Sequence, residues 1–502
     1  MPSYRLDDWR GGWQTFRGTN INLGPSTLID LQNMEYFIVP DAEKGYRVVL
    51  RGRRGRSAFT ASAIVSGGQT TDLFRYYPKS ASPATVAIVQ DVVGTPTKKN
   101  FYHDTDDNGT FASITGDFNA NATASWYGVI WPEKDKLFLA NGSNGLYSYN
   151  GATLAAVSQS AIQMQGPYIT VYQSHLIGTR PDTLEREVYF SAADDELTVS
   201  GSLALSLNDP QGGLITGLWS LQDRLLISKQ TSWWYQLGSP LLQGALVRYS
   251  DVGNVAPRAA CQTPWGIIYV AREGVKVTDG VSQLPIDVTG PLLAARFSTA
   301  STDSVFPSAV AVYYPRLQQY WLKLAPADTQ VYVLSRLEGP DNSVALLWAT
   351  YTSMPLVAGL SWSGESDDGR LLLASSDGKL WRADNTTLDD ASEITAVAQT
   401  AFQPTAFPDR VGRIHQIKAS YQGKGQITAG IRYDANTSND TAVTLGSSLG
   451  AAALQRPRGL VTTFDKSGEY WSLRLSHAAA NPTFELHSLE VLIRPRSGRL
   501  WR

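Results

Sequence analysis

Short apolar runs separated by turn residues occupy most of the chain, and the spacing of an amphipathic helix is scarce. Apolar residues recur at intervals of three and four positions only over a short stretch, 26–37. Pairs of apolar runs that meet across a turn are typical of β-hairpins, because strands are short and turns need Gly, Asn, Asp or Pro. The pattern therefore predicts a mostly β protein.

One hairpin-like unit recurs six times in the middle of the chain. The units begin 39, 49, 42, 54 and 50 residues apart, at Lys136, His175, Arg224, Gly266, Tyr320 and Arg370. A four-stranded blade of a β-propeller takes about 40 to 50 residues. The spacing predicts a propeller of about six blades. One or two β-sandwiches are the alternative, since similar hairpins occur in any antiparallel protein.

The last hundred residues differ from this repeat. Apolar and polar residues alternate strictly over 413–435 and 470–495, as in strands with one buried and one wet face. The stretch between them, 436–459, is rich in Ser, Thr, Asn, Gly and Ala and predicts a long mobile loop. The C-terminal part therefore predicts a β-sandwich-like unit.

The charge distribution connects the two ends of the chain. The 43 basic and 45 acidic residues nearly balance, but residues 1–60 carry +3, residues 401–502 carry +6, and residues 61–400 therefore carry −11. Two basic ends and an acidic middle are expected if one domain is inserted into another. A chance distribution of surface charges would give the same net charges. We predict a propeller at 116–400 inserted into a sandwich-like platform, to which 1–115 and 401–502 contribute.

Composition excludes several classes of protein. The single cysteine, Cys261, cannot form an internal disulfide or a multi-cysteine zinc site. The N-terminus lacks the apolar core of a secretory signal, and no window holds about 18 uninterrupted apolar residues. We expect a soluble chain that is made in the cytosol and does not insert into a membrane.

No cluster of catalytic residues is evident. The five histidines lie far apart, and neither an H-E-x-x-H motif nor a phosphate-binding glycine loop occurs. We therefore expect no enzyme activity, no catalytic residue, no cofactor and no metal.

Two motifs nevertheless resemble known sites. Residues 104–109 begin like a calcium loop, but Thr115 stands at the twelfth position, where a carboxylate would complete it. An Asx-rich surface turn is the simpler interpretation. Residues 375–381 resemble a degenerate Asp-box, the hairpin signature of sialidase propellers, for which a hairpin turn with a buried Trp is the simpler interpretation.

Arginine is concentrated at two places. Five arginines occupy 47–56, and a second basic cluster ends the chain. Arginine binds carboxylates and phosphates through two parallel hydrogen bonds, so the first cluster indicates contact with a protein partner, a solvated face or contact with DNA. The interface candidates are Arg47, Arg51, Arg53, Arg54, Arg56, Arg494, Arg496, Arg499 and Trp501.

The order of several motifs resembles a known family. An N-x-G-P element, a short helix-like stretch and a strand that ends in Arg-x-x-Gly occupy 19–55. Later motifs begin at Val188 (VYFSAADD), Trp233 (WWYQLG), Val252 (VGNVAPRA), Trp265 (WGIIYVAREGVKVTDG), Ile286 (IDVTGPL) and Leu486 (LHSLEVLIRPRSGR). In this order and spacing the chain is similar to the tail nozzle proteins of short-tailed bacteriophages, of the tail tubular protein B type.

The resemblance implies a structural subunit of the virion tail, assembled in the host cytoplasm. Such subunits form a ring, usually of six copies, that extends the channel below the portal and adaptor and conducts double-stranded DNA during ejection. The implied partners are further copies of the chain, the adaptor above, needle, spike or fibre proteins below or beside, and passing DNA.

Two other functions fit the composition. A carbohydrate-binding or sialidase-like propeller that recognises a receptor would use some of the 14 Trp and 23 Tyr residues to stack on sugars. An intracellular propeller scaffold would be a stable monomer with protein partners outside any virion.

Overall fold

The structure is a computed structural model in which most of the chain is described. The described residues are 3–6, 8–9, 28–41, 45–91, 98–118, 124–184, 186–199, 204–207, 209, 212–221, 223–240, 246–299, 306–340, 342–364, 367–404, 410–422, 427–433, 441–445, 458–461, 469–479 and 485–499.

Seven four-stranded antiparallel units follow one another along the chain. In the first six units the strands pair in chain order, as in the blades of a propeller. Blade 1 contains β6 (Gln69–Tyr76), β7 (Ala84–Asp91), β8 (Lys98–Asp104) and β9 (Ala112–Phe118). Blade 2 contains β10 (Tyr127–Trp131), β11 (Lys136–Ala140), β12 (Leu146–Tyr149) and β13 (Leu154–Ala156). Blade 3 contains β14 (Ile169–Tyr172), β15 (His175–Gly178), β16 (Glu187–Phe190) and β17 (Ala204–Ser206).

The remaining blades have the same plan, except that the last takes a strand from elsewhere. Blade 4 contains β18 (Ile215–Leu221), β19 (Arg224–Lys229), β20 (Trp233–Leu237) and β21 (Leu246–Ser250). Blade 5 contains β22 (Cys261–Thr263), β23 (Gly266–Ala271), β24 (Gly274–Thr278) and β25 (Ile286–Asp287). Blade 6 contains β26 (Val310–Tyr314), β27 (Gln319–Lys323), β28 (Gln330–Glu338) and β29 (Val344–Thr352). Blade 7 contains β30 (Ala358–Gly364), β31 (Asp367–Ala374), β32 (Leu380–Thr386) and β5 (Gly55–Ala58).

The blades form a closed ring because an apolar core lies between each pair of neighbours. The core between blades 6 and 7 also includes residues from both ends of the chain. The core that joins the last blade to the first contains Leu73 and Ala87 of blade 1 and Leu372 and Leu380 of blade 7. Strand β5 precedes blade 1 in the chain but pairs with β32 of blade 7. The beginning of the propeller thus completes its end, and the ring is held closed by strand pairing.

Both ends of the chain build the remaining sheets. One sheet has the order β3 (Met34–Asp41), β4 (Gly45–Gly52), β40 (Glu485–Arg499), β35 (Arg410–Gln422) and β38 (Arg458–Val461), and β1 (Ser3–Leu6) also pairs with β40. The second continues from β29 through β2 (Leu28–Gln32), β33 (Ile394–Thr400), β39 (Tyr470–Ala479), β36 (Ile427–Tyr433) and β37 (Thr441–Leu445), and β34 (Gln403–Pro404) pairs with β39. We call these strands, without blade 6, the platform.

The observed architecture confirms a β-propeller and differs from the sequence-based predictions in detail. Seven blades are present where the hairpins predicted about six, because 69–118 forms a blade and the predicted boundary at residue 115 falls inside β9. The stretch 26–37, which has helical spacing, contains β2 and part of β3. The predicted loop at 436–459 contains β37, which pairs with β36.

Helix is rare in the described part of the chain. One α-helix, α1 (Gly290–Thr299), follows β25. Among the described residues, no helix has the length and apolar character needed to cross a membrane.

Closure of the ring generates a prediction at Gly55, the first residue of β5. A Cβ atom at this position would lie 2.0 Å from the carbonyl oxygen of Leu388, and backbone cannot move away cheaply. Gly55→Ala should therefore destabilise the protein by about 1–3 kcal/mol and lower its melting temperature. Ala58→Ser, at an exposed position of the same strand, is the control and should have little effect. An unchanged melting temperature for Gly55→Ala would show that β5 does not control closure.

Candidate functional site

The first candidate site is the axis of the propeller, around which the innermost strand of each blade lies. A cavity of about 700 Å³ opens there, mainly between β10, β14 and β18. Its aromatic lining consists of Phe74, Trp126, Tyr127, Tyr168 and Trp219. Among the described residues that line it, Glu133 is the single carboxylate. A cavity of this size and aromatic character suits a small ligand.

Two tyrosines from neighbouring blades meet in this cavity. The rings of Tyr127 and Tyr168 lie edge to face, with centroids 4.9 Å apart. Burial raises the pKa of Tyr168 to about 12 and also raises the pKa of Tyr127. Both phenols are therefore protonated at neutral pH and present hydroxyl groups that donate and accept hydrogen bonds.

A buried charged cluster lies farther along the axis. The Asp72 carboxylate is 3.6 Å from the Lys99 ammonium and 3.5 Å from the Arg258 guanidinium. Asp72 and Lys99 are 5% and 2% exposed. Burial lowers the pKa of Lys99, and the charge of Asp72 partly offsets this effect. Pairing of these charges reduces the free-energy cost of burying them. The Lys99 ammonium also donates a hydrogen bond to the carbonyl oxygen of Ala124 at 2.6 Å.

Arg258 connects the approach to blade 5 with blades 1 and 7. The residue lies in the 3-10 turn Pro257–Ala259, directly before β22 of blade 5. Its Nη2 donates to the carbonyl oxygen of Thr71 in blade 1 at 2.5 Å and to that of Val357, next to blade 7, at 3.0 Å. Duplex DNA is about 20 Å wide, so it cannot pass through the axis of one propeller.

The second candidate site, the arginine cluster at 47–56, is built into the fold. Arg53 is 2% exposed, and its guanidinium donates two parallel hydrogen bonds to Asp389, at 3.0 and 2.5 Å. It also donates to the side-chain oxygen of Asn33 at 2.8 Å and to the carbonyl oxygen of Thr352 at 2.9 Å. Arg53 was an interface candidate, and the structure corrects this assignment because the side chain is enclosed within the chain.

Other arginines of this cluster also contact their own chain. Arg51 pairs with buried Glu35 at 2.7 Å. The guanidinium of Arg56 lies 4.2 Å from the ring centroid of Trp381. Arg47 donates to Nδ1 of His487 at 3.4 Å. These three side chains are half-buried, so the cluster is mainly a structural element.

The remaining interface candidates have different surroundings. Arg54 and Arg494 are exposed. Arg496 and Arg499 belong to β40, but the description does not extend to their side chains. Trp501 lies outside the described residues. Among the candidates whose side chains are described, Arg54 and Arg494 are the two that are exposed.

The two motifs that resemble known sites form turns. Asp104 accepts hydrogen bonds from the backbone N–H groups of Asp106, Asn108 and Gly109, so both carboxylate oxygens are already engaged. No group of potential metal ligands occurs in the part of the chain that is described. In the other motif, the indole N–H of Trp381 donates to Ser375, which fits a hairpin turn with a buried Trp.

Comparisons with known proteins add little beyond the fold. No family model and no curated protein matches the chain. Similar solved structures include an exo-β-1,3-galactanase from Phanerochaete chrysosporium, with 9% identity, a TM-score of 0.29 and coverage of 86% of this chain and 100% of that chain. The Neurospora crassa Pan2 WD40 domain has 10% identity, a TM-score of 0.38 and coverage of 66% and 95%. A family 43 arabinoxylan arabinofuranohydrolase from Bacillus subtilis has 9% identity, a TM-score of 0.23 and coverage of 87% and 98%.

These comparisons correct one expectation. The sequence predicted that the protein is not an enzyme, whereas chains named as glycoside hydrolases are among the similar structures. The prediction of a non-enzyme is therefore not retained. At this level of similarity the comparisons assign no activity, ligand or partner to the chain, and the strand pairing alone establishes the propeller.

Sequence reasoning missed the charged cluster on the axis. Asp72, Lys99 and Arg258 come from blade 1 and from the approach to blade 5, and no spacing rule connects positions so far apart. One signal was present, because Arg258 lies in the VGNVAPRA motif. An arginine within an otherwise apolar motif was a candidate for a buried, paired charge.

The ion pair between Arg53 and Asp389 generates a stability prediction. Arg53→Ala would leave Asp389 buried without its partner, so we expect a loss of about 3–5 kcal/mol in unfolding free energy. Arg54→Ala, one residue away and exposed, should change it by less than about 0.5 kcal/mol. Urea denaturation of the two variants measures the difference, and similar midpoints for both would contradict the structural role of Arg53.

Proposed function

We propose that the chain is a ring-forming subunit of the tail nozzle of a short-tailed bacteriophage. The sequence resemblance suggests this function, and the observation that carries it is the architecture: a closed propeller attached to a platform that both ends of the chain build. Because side chains such as Arg258 occupy the axis of the propeller, which is too narrow for duplex DNA, a DNA channel would lie between subunits. Cyclic symmetry creates such a channel when each subunit uses two different faces.

The charge distribution supports this arrangement. Residues 61–400, which include blades 1 to 6 and most of blade 7, carry −11, whereas both ends are basic. An acidic channel wall would repel phosphate and keep DNA mobile, and basic surfaces would favour contacts with acidic neighbours. In this proposal the propeller contributes the inner wall and the platform contributes most contacts with other subunits and the adaptor.

Electron microscopy of the purified protein, alone and with portal and adaptor complexes, tests the proposal. We expect a ring, of six copies according to the resemblance, with a central opening wider than about 20 Å. A monomer or dimer without a central opening under both conditions would contradict the nozzle function.

Exposed arginines should influence assembly more than folding. The variant Arg54→Glu/Arg494→Glu reverses the charge at the two exposed candidates and should weaken ring formation. The effect should be largest in low salt, because salt at ordinary ionic strength screens exposed charges beyond about 8 to 10 Å. The melting temperature of the monomer should stay within a few degrees of wild type. Size-exclusion chromatography across a salt series measures the effect. Normal rings at every salt concentration would exclude these side chains from the interface.

A second candidate function is carbohydrate binding, which the aromatic cavity on the axis favours. Aromatic faces stack on sugars, and tyrosine hydroxyls hydrogen-bond to them. If this is the function, the isolated protein should bind on a glycan array, and Trp219→Ala should reduce the signal at least tenfold. Tyr77→Ala, an exposed aromatic residue away from the cavity, is the control. Absence of glycan binding by the wild-type protein would eliminate this candidate.

A further inference from the structure

A second cavity on the axis has a different lining from the aromatic one. It measures about 390 Å³ and lies where the innermost strands β6 and β26 begin, on the other side of Arg258 from the aromatic cavity. Three cationic side chains line it: Lys99, Arg258 and Lys323. Its described lining contains no carboxylate, and its neutral polar groups include Gln69, Gln90 and Ser376.

The charged cluster at this cavity contains three cations and one acid, Asp72. Asp72 is shared between Lys99 and Arg258, so one negative charge faces two positive charges. The Lys323 ammonium has no ion-pair partner within 4 Å among the described residues. Asp328, whose charge acts on Lys323, pairs with Arg296 at 2.6 Å. Lys99, Arg258, Lys323 and Asp72 together carry +2, in a partly enclosed space where charges are weakly screened.

The central cation is also held in place. The Nη2 atom of Arg258 is fixed by the carbonyl oxygens of Thr71 and Val357, whereas no described contact uses its Nε or Nη1 donors. A guanidinium has five N–H donors, so donors remain for a ligand. Because the side chain is already ordered, binding would cost little conformational entropy.

From these observations we propose that the cavity binds an oxyanion, namely a phosphate, sulfate or carboxylate group. Three cationic side chains, together with neutral amide and hydroxyl groups, match the charge and the acceptor oxygens of such a group. The volume exceeds that of a bare ion and suits a molecule of about the size of a monosaccharide that carries the group. This inference does not depend on ring formation or on the proposed nozzle function.

Calorimetric titration with inorganic phosphate, at constant ionic strength maintained with chloride, tests the site. Wild-type protein should bind phosphate, and Lys323→Ala should weaken binding about tenfold or more, since a hydrogen bond to a charged group is lost. Lys79→Ala removes an exposed lysine beyond the other end of β6 and should bind like wild type. Titrations with glucose 1-phosphate and with glucuronate then show whether the site prefers a phosphorylated or a carboxylated sugar. A titration with sulfate shows whether the site is selective for phosphate or binds oxyanions in general.

A second variant separates binding from folding. Ser376 is exposed at the edge of the cavity, so Ser376→Asp adds a negative charge without removing a buried contact. It should abolish phosphate binding while thermal melting remains close to wild type. Absence of phosphate binding by the wild-type protein, or equal affinities in Lys323→Ala, Ser376→Asp and Lys79→Ala, would overturn the proposal.

Discussion

The ion pair between Arg53 and Asp389 lies where the chain passes into the propeller and where it leaves it. Arg53 connects β4 of the platform to β5 of blade 7, and Asp389 lies between β32 of blade 7 and β33 of the platform. Asn33 completes the junction, because its side chain bonds to Arg53, to Thr352 at the end of β29 and to the carbonyl oxygen of Thr395 in β33. One buried polar network therefore connects the segment that enters the propeller, the segment that leaves it and the outer strand of blade 6.

Burial of these polar groups costs free energy, and the role that we infer for the network is to specify one arrangement of the strands. Buried ion pairs contribute little net stability compared with apolar packing, but loss of one partner leaves an unpaired charge. An apolar junction would allow β5 to shift relative to β32, whereas the directional hydrogen bonds of Arg53 permit one register. We infer that the junction sets the register of the strand that closes the ring.

Sequence periodicity predicted the middle of each blade well. All six predicted hairpins correspond to the second and third strands of blades 2 to 7, as in β11–β12 and β31–β32. These strands are buried between neighbouring blades, so they carry the strongest apolar pattern, and in blades 2 and 7 an Asn-Gly or Asp-Gly turn marks the hairpin as well. Blade 1 was not among the predicted hairpins, and the kind of turn does not explain this, because the hairpins of blades 3, 4 and 6 also lack Asn-Gly and Asp-Gly.

The burial of charged residues could not be predicted in the same way. An arginine such as Arg53 or Arg258 looks identical in sequence whether it is solvated or paired, and arginines are mostly exposed. Their partners, Asp389 and Asp72, lie 336 and 186 positions away. Such pairs become visible only when the fold brings distant segments together, so the sequence located the arginines at 47–56 but not the partner that buries Arg53, and the charged cluster on the axis was found from the structure.

The lengths of the outer strands explain where the platform attaches. The outermost strands of blades 2, 3 and 5 have only two or three residues, and short edge strands resist pairing with other sheets. The outermost strand of blade 6, β29, has nine residues and would be the longest outer edge of any blade. The platform strand β2 lies beside it, and the sheet continues through β33. The longest outer edge of any blade is thus the one beside which the platform sheet begins, whereas the short outer edges of blades 2, 3 and 5 offer little backbone for pairing with another sheet.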